Sequence, residues 1–306
     1  MYNEELKFRF INERDEQIIT SNNYLVNLFE KSSVTEEELN KDLCNFTFYE
    51  IEEFYKLLNA SSINALSVIN SHYSSYTQWC MQQNLVADGQ NHFTEMWFGN
   101  FSNCINKGKM NMQVLSKEII YDVIKQLNNP KDQFIILGLF EGIKGKDFCE
   151  LANLKPEHIK GNVVQLCTGR EVEISNKLLS IIEDCIETHE YYATTGKEEK
   201  VIPLVDNGYI IKDYPNVQDG RLEKRSGRSV KNSIERTVKG LGLHGIVTAN
   251  NIVESGKLNM IKEQAKEKGM SCKEYICSSH LNDVKEKFNC TISTSRYIIK
   301  YEDYLL

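Results

Sequence analysis

Leu139-Phe-Glu-Gly-Ile-Lys-Gly-Lys-Asp-Phe-Cys-Glu-Leu-Ala-Asn-Leu-Lys-Pro-Glu-His-Ile159 is the stretch on which the fold turns. Immediately upstream, Phe134 to Phe140 is almost wholly apolar, the pattern of a helix buried on all sides. The helix before it is predicted to start at Ser116, a capping residue, and to bury Ile119, Ile120, Val123, Ile124 and Leu127 before Asn128-Asn129-Pro130 stops it. Downstream, Asn162–Cys167 and Glu171–Ser175 read as two strands around a Thr168-Gly169-Arg170 turn, and Leu178–Thr188 as a helix. Residues 190–220 read as irregular, with a short strand near Val201–Val205, and a further helix is expected from Ser226 to about Gly240.

The N-terminal third has only helical signals. Thr35-Glu-Glu-Glu38 and Thr47-Phe-Tyr-Glu50 both have capping-box spacing, in which the hydroxyl accepts from the fourth backbone N–H and the Glu reaches back to the first. After Thr47, Ile51, Phe54, Tyr55 and Leu58 recur at helical spacing. Another helix is predicted over Ile63–Gln82, with Leu66, Ile69, Tyr73, Tyr76 and Trp79 or Cys80 facing inward. Its other face is Asn, Ser, His and Gln, polar but almost uncharged. That face is either simply solvated or close to nucleic acid, since short polar side chains let a helix approach phosphates and base edges. Residues 106–114, with Lys107, Gly108 and Lys109, carry no periodicity and read as a linker. The expected organisation is therefore a helical domain over 1–105, the linker, and a second domain over 115–306.

Composition bounds the function. The 306 residues are 41% hydrophobic and 26% charged, values of a globular protein with room for two cores. No apolar run approaches the ~20 residues that cross a bilayer, so no membrane partner is expected. The polar start, Met1-Tyr-Asn-Glu-Glu5, lacks the features of a secretory signal, and the expected location is the cytoplasm. Nine scattered cysteines suit free thiols in a reducing compartment. Cys272, Cys277 and His280 cluster but lack a matching second pair, Cys290 being the sole further candidate, so neither metal nor cofactor is expected.

Four segments, in order, resemble the tyrosine-recombinase (phage integrase) family. The opening stretch resembles its first box, an apolar helix followed by T-G-[LM]-R-[IV]-x-E-[LA] and L-x-W-x-D-[IV]. The 162–175 hairpin resembles the element whose turn carries a catalytic Lys. Gly242-Leu-His-Gly-Ile-Val-Thr248 resembles H-x-L-R-H, with His244 on the His. Phe288-Asn-Cys-Thr-Ile-Ser-Thr-Ser-Arg-Tyr297 resembles L-G-H-S-x-I-x-T-T-x-x-Y, two residues shorter, with Cys290 near the His and Tyr297 on the nucleophile. The N-terminal half resembles the family's core-binding domain. The resemblance thus covers nearly the whole chain. It implies a mainly α fold with a small antiparallel β-sheet, a helical core-binding domain followed by a catalytic-like domain, and double-stranded DNA as partner.

The resemblance also implies lost chemistry. The family's first catalytic Arg falls on Lys144, the second on Val247, and the turn that carries its Lys offers Thr168 and Arg170. Attack of a phenol on a phosphodiester needs two guanidinium forks to stabilise the non-bridging oxygens. Lys144 keeps charge without the fork, and Val247 has neither charge nor donor. Each lost donor costs roughly 3–4 kcal/mol of transition-state stabilisation. Tyr297 is then expected to pack or to touch a phosphate, among 15 tyrosines. His244 reads equally as a phosphate donor or a core histidine.

Against a net charge of −7, residues 221–239 carry seven basic and two acidic side chains, a local +5. Lys224, Arg228 and Lys231 share one helical face, with Arg225 beside them and Val230, Ile234 and Val238 on another. This is either a solvated face or one laid on phosphates, and its place before the H-x-L-R-H-like box implies the second. Lys107, Lys109, Lys144, Arg170, Lys224, Arg225, Arg228, Lys231, His244 and Tyr297 are the expected DNA contacts. The expected function is a sequence-specific regulator, a prophage repressor on an inactivated scaffold, acting at operator-like DNA. Alternatives are an active recombinase using Tyr297 and a protein-interaction module that has lost DNA binding. The short tail after Tyr297 favours a monomer or dimer over a tetramer.

Overall fold

The computed structural model describes residues 1–13, 21–195, 198–215, 227–243 and 247–305. Two compact units emerge: Met1–Asn111 with Ser295–Tyr301, and Met112–Thr294 with the tail from Glu302. The stretch expected as a linker contains a short helix, and the division between units falls at its C-terminal end, between residues 111 and 112.

The first unit holds helices α1 (Glu4–Glu13), α2 (Asn22–Leu39), α3 (Phe48–Leu57), α4 (Ile63–Gln82), α5 (Phe98–Cys104) and α6 (Lys107–Met112). Its core is aromatic, with Phe29, Phe54, Tyr55, Tyr73, Tyr76 and Phe93 almost fully buried. Tyr73 and Tyr76 are buried without cost because each hydroxyl has a partner, the Leu28 carbonyl at 2.8 Å and the Asp42 carboxylate at 3.0 Å. The Thr47–Glu50 capping box forms as expected. The Thr35–Glu38 box does not: α2 begins at a Ser21 cap and runs straight through Thr35. Glu36, in that false box, is buried and pairs with Lys7 at 2.6 Å, while its carboxylate also accepts from the Ser32 hydroxyl and the Leu43 N–H.

The second unit is built around α8 (Pro130–Phe140), buried from Phe134 to Phe140 as the apolar run requires. Around it pack α7 (Lys117–Lys125), α9 (Cys149–Ala152), α10 (Asn176–Glu187), α11 (Arg228–Gly240) and α12 (Ala249–Glu267), followed by α13 (Cys272–Cys277) and α14 (Leu281–Phe288). Gly256 lets α12 sit directly on the end of α8, since a Cβ there would overlap the Phe140 carbonyl oxygen. The small sheet is antiparallel in the order β1 (Ile159–Lys160), β2 (Val163–Gln165), β3 (Glu171–Glu173), with Val164 opposite Val172. The expected hairpin is thus present, and Gly169 (φ +86°) takes the left-handed turn position.

Residues 190–220 differ from expectation. β4 (Glu190–Thr195) and β5 (Glu198–Pro203) form a second antiparallel hairpin, with Tyr191 buried and its neighbour Tyr192 exposed opposite Val201. The last helix, α15 (Thr294–Lys300), carries Tyr297. The chain is therefore mainly α with small antiparallel sheets. No helix among the described residues is long and apolar enough to cross a membrane.

Candidate nucleic-acid interface and the recombinase-box positions

The residues after α8 form a polar hub rather than a phosphate clamp. The box pattern places its acidic residue three positions after the Arg; here Asp147 stands there, yet Glu150 is the buried carboxylate, with no exposed side-chain surface. The chain reaches Glu150 through Gly145 (φ +65°), Asp147 (φ +50°) and Phe148 (φ +63°). Left-handed backbone at a bulky Phe is costly and persists only when its surroundings hold it. What holds it is Glu150. Its carboxylate accepts from the Lys144 backbone N–H at 3.1 Å, the Thr168 hydroxyl at 2.6 Å, and Arg170 Nε and Nη2 at 2.8 and 2.6 Å. Burial raises the Glu150 pKa, but the hydrogen bonds from Arg170 and Thr168 outweigh it and hold the carboxyl below its ordinary value.

Arg170 is thereby spent inside the fold. Besides Glu150, its Nη2 donates to the Gly142 carbonyl at 2.8 Å and its Nη1 to those of Lys287 and Glu286 at 2.6 and 3.2 Å. A guanidinium has five N–H donors, and these five bonds use them. A phosphate contact from Arg170, expected from the sequence, would compete with these bonds for the same donors.

Lys144, whose N–H joins this hub, and Val247 do different things. The Lys144 ammonium donates to Asn250 Oδ1 at 3.2 Å, in the first turn of α12. Val247 is 4% exposed and precedes Thr248, whose hydroxyl caps α12 by accepting from the Asn251 N–H. Val247, which the sequence resemblance sets at the second Arg, is thus a packing residue. His244 lies outside the described residues. Cys290 is half-buried at the end of α14, its N–H bonded to the Lys285 carbonyl. Tyr297 is 8% exposed, in edge contact with Tyr301 at 4.8 Å, and falls in the first unit, whereas Lys144, Arg170 and Val247 fall in the second. Among the described residues no group of three or more His, Cys, Asp and Glu is disposed to hold a metal; His280 instead stacks on Tyr275.

The basic helix has two faces. Val230, Ile234 and Val238 are buried, as their spacing requires. Ser233 joins them, donating to buried Asp132 at 2.8 Å, and Asp132 also accepts from the Tyr191 hydroxyl at 2.9 Å. Arg236, itself exposed, lies over the Tyr191 ring at 5.2 Å and reaches towards the Tyr214 hydroxyl at 3.4 Å. This anchor was not legible in the sequence, because Asp132 lies about a hundred residues away on α8. Arg228, Lys231 and Lys239 stay exposed, Lys231 with only a loose 3.9 Å approach to Glu235. Lys224 and Arg225 lie outside the described residues. The start of α11 is fixed by main chain: a Cβ on Gly227 would overlap the Asp147 carbonyl oxygen.

In the first unit, Lys107 and Lys109 are exposed on α6, Lys109 reaching the Asn59 carbonyl at 3.5 Å. The outer face of α4 presents Asn64, Ser67, Ser71, Ser75, Gln78 and Gln82, with no charged side chain among them.

The chain matches the family model described as MrpR, C-terminal catalytic domain, over residues 114–305, and that of MrpR, N-terminal core-binding domain, over residues 1–82. It is 25% identical to the SPbeta prophage-derived uncharacterized protein YopR of Bacillus subtilis (strain 168), over 99% of this chain and 95% of that protein. Similar solved structures include a lambda integrase(75–356) dimer bound to a COC′ core site, at 12% identity, coverage of 97% and 94%, and TM-score 0.42. Another is the Tn1549 transposon integrase in complex with circular intermediate DNA, at 11% identity, coverage of 96% and 94%, and TM-score 0.46.

Proposed function

This chain belongs to the MrpR family of tyrosine-recombinase-like proteins, and from that premise we propose that it is a sequence-specific double-stranded-DNA-binding repressor of a prophage whose scaffold no longer recombines DNA. The observation that carries the reading is the fate of the three phosphate-handling positions. Val247 is packed in the interior, Arg170 has its donors spent on Glu150 and main-chain carbonyls, and Lys144 offers a charge without a fork. An oxyanion site needs donors preorganised on the developing charge, and these positions do not supply them.

DNA binding in this reading rests on the exposed cations Arg228 and Lys231 on α11 and Lys107 and Lys109 on α6, together with Lys224 and Arg225 of the sequence that precedes α11. Such a face neutralises phosphates and positions the protein, while the uncharged face of α4 suits base edges. Kinship to a prophage-derived protein supports the prophage setting, and lysogeny is the state such a repressor maintains in the host cytoplasm. A suicide-substrate assay with a nicked duplex tests the chemistry: no covalent adduct is expected, and one that disappears in Tyr297→Phe sinks the reading. Duplex affinity measured against salt tests the binding, and absence of binding at low salt to every phage and host fragment points to a protein-interaction module.

A further inference from the structure

The second unit contains a cleft of about 400 Å³ that the DNA-binding reading does not use. It opens between α7, α12 and the end of α14, within the roughly 300–1,000 Å³ range of small-molecule sites. Its floor is apolar: Phe140, Ile174 and Phe288 are buried there, around Gly256. Its walls carry both signs of charge.

On one wall stands Lys287. Burial holds its ammonium below the ordinary lysine range, with Glu141 and Glu173 opposing that shift. One N–H donates to the Glu173 carbonyl at 3.0 Å, and the other two have no acceptor among the described residues. A half-buried ammonium with open donors on a cleft wall is a receptor for an anionic group. Of the acidic residues lining the cleft, the carboxylates of Glu173, beside Lys287, and of Glu267 likewise have no hydrogen-bond donor among the described residues, whereas Glu263 is taken by Lys117 at 2.7 Å and Glu141 by Ser175. Tyr121 and Asn259 complete the rim with uncommitted polar groups.

We propose that this cleft binds a small zwitterion with an apolar body, a free amino acid with an aliphatic or aromatic side chain. The carboxylate meets Lys287, the ammonium meets Glu173 and Glu267, and the side chain rests on Phe140, Ile174 and Phe288. A purely apolar ligand leaves the Lys287 donors unmet, and a simple anion faces the surrounding carboxylates. Occupancy also bears on the hub, because the Lys287 carbonyl is held by Arg170. The site stands whether or not the chain binds DNA.

The test is isothermal titration calorimetry of the full chain with leucine, methionine and phenylalanine, alongside leucinamide and N-acetyl-leucine. Saturable binding of one amino acid per chain is expected, weakened roughly tenfold or more when either terminus is masked. Glu267→Gln, on an exposed side chain, and Lys287→Met weaken it similarly, with thermal unfolding confirming that each variant folds. No saturable binding at millimolar amino acid, undiminished binding of either masked analogue, or undiminished binding by both variants overturns the proposal.

Discussion

Arg170, on the turn of the β2–β3 hairpin, closes a fork on Glu150, a carboxylate twenty positions earlier with no exposed surface. Removing one partner from a buried pair leaves an uncompensated charge and typically costs about 3–5 kcal/mol. Arg170→Met is therefore expected to destabilise the second unit by that order in urea unfolding. Adding Glu150→Gln to it recovers part of the loss, a coupling that a double-mutant cycle reads directly. A surface contact to DNA predicts instead near-normal stability for Arg170→Met.

The same pair sets the response to acid. Because the Glu150 pKa is depressed in the fold, its contribution is present above the unfolded value, about 4.3 for Glu, and is lost as pH falls through the folded value. Glu36 has the opposite sign: burial outweighs Lys7 and raises its pKa, so its contribution is lost as pH rises through the folded value. Stability measured from pH 7 downward is expected to fall less steeply in Glu150→Gln than in the parent, and more steeply in Glu36→Gln.

Placing an arginine at position 247 is not expected to produce recombinase chemistry. Val247→Arg puts a charge at a site only 4% exposed, beside the cap of α12. The expected outcome is a loss of roughly 3–5 kcal/mol in stability and no covalent adduct on a nicked duplex, even when combined with Lys144→Arg. An adduct from the double variant shows that the site needs only the two guanidiniums.

DNA affinity should depend on salt through α11. Each phosphate neutralised contributes a slope of about 0.9 in log affinity against log salt. Arg228→Ala and Lys231→Ala are each expected to lower the slope by about 1 without discriminating among sequences, whereas Gln78→Ala on α4 changes the preference between sequences more than the slope. Fluorescence anisotropy over a salt series separates the two.

Much of this architecture was written locally. The apolar run of α8, the Thr47 cap and the Val230–Ile234–Val238 stripe are short-range patterns, and each became the element it described. The misreadings arose where distant partners decided. Thr35-Glu-Glu-Glu38 has the spacing of a cap, but Lys7 and Ser21 make the helix continuous through it. Glu198-Glu-Lys200 looks like loop, yet pairing with β4 makes it strand. Arg170 reads as a free cation until Glu150 is known to lie beneath it, and three additional residues in the first box disguise that carboxylate.

Those residues have a mechanical consequence. The Asp147 carbonyl comes up against the backbone of Gly227, so the start of the basic helix is seated on main chain as well as on the buried Val230 side chain. Such a seat is expected to depend less on what positions 146 and 147 are than on how many residues the loop contains. Shortening the loop by one residue is expected to unseat α11 as thoroughly as Gly227→Ala, while Lys146→Ala or Asp147→Asn passes almost unnoticed. Loop length, more than any single side chain, becomes the inherited constraint that keeps the cationic helix aimed.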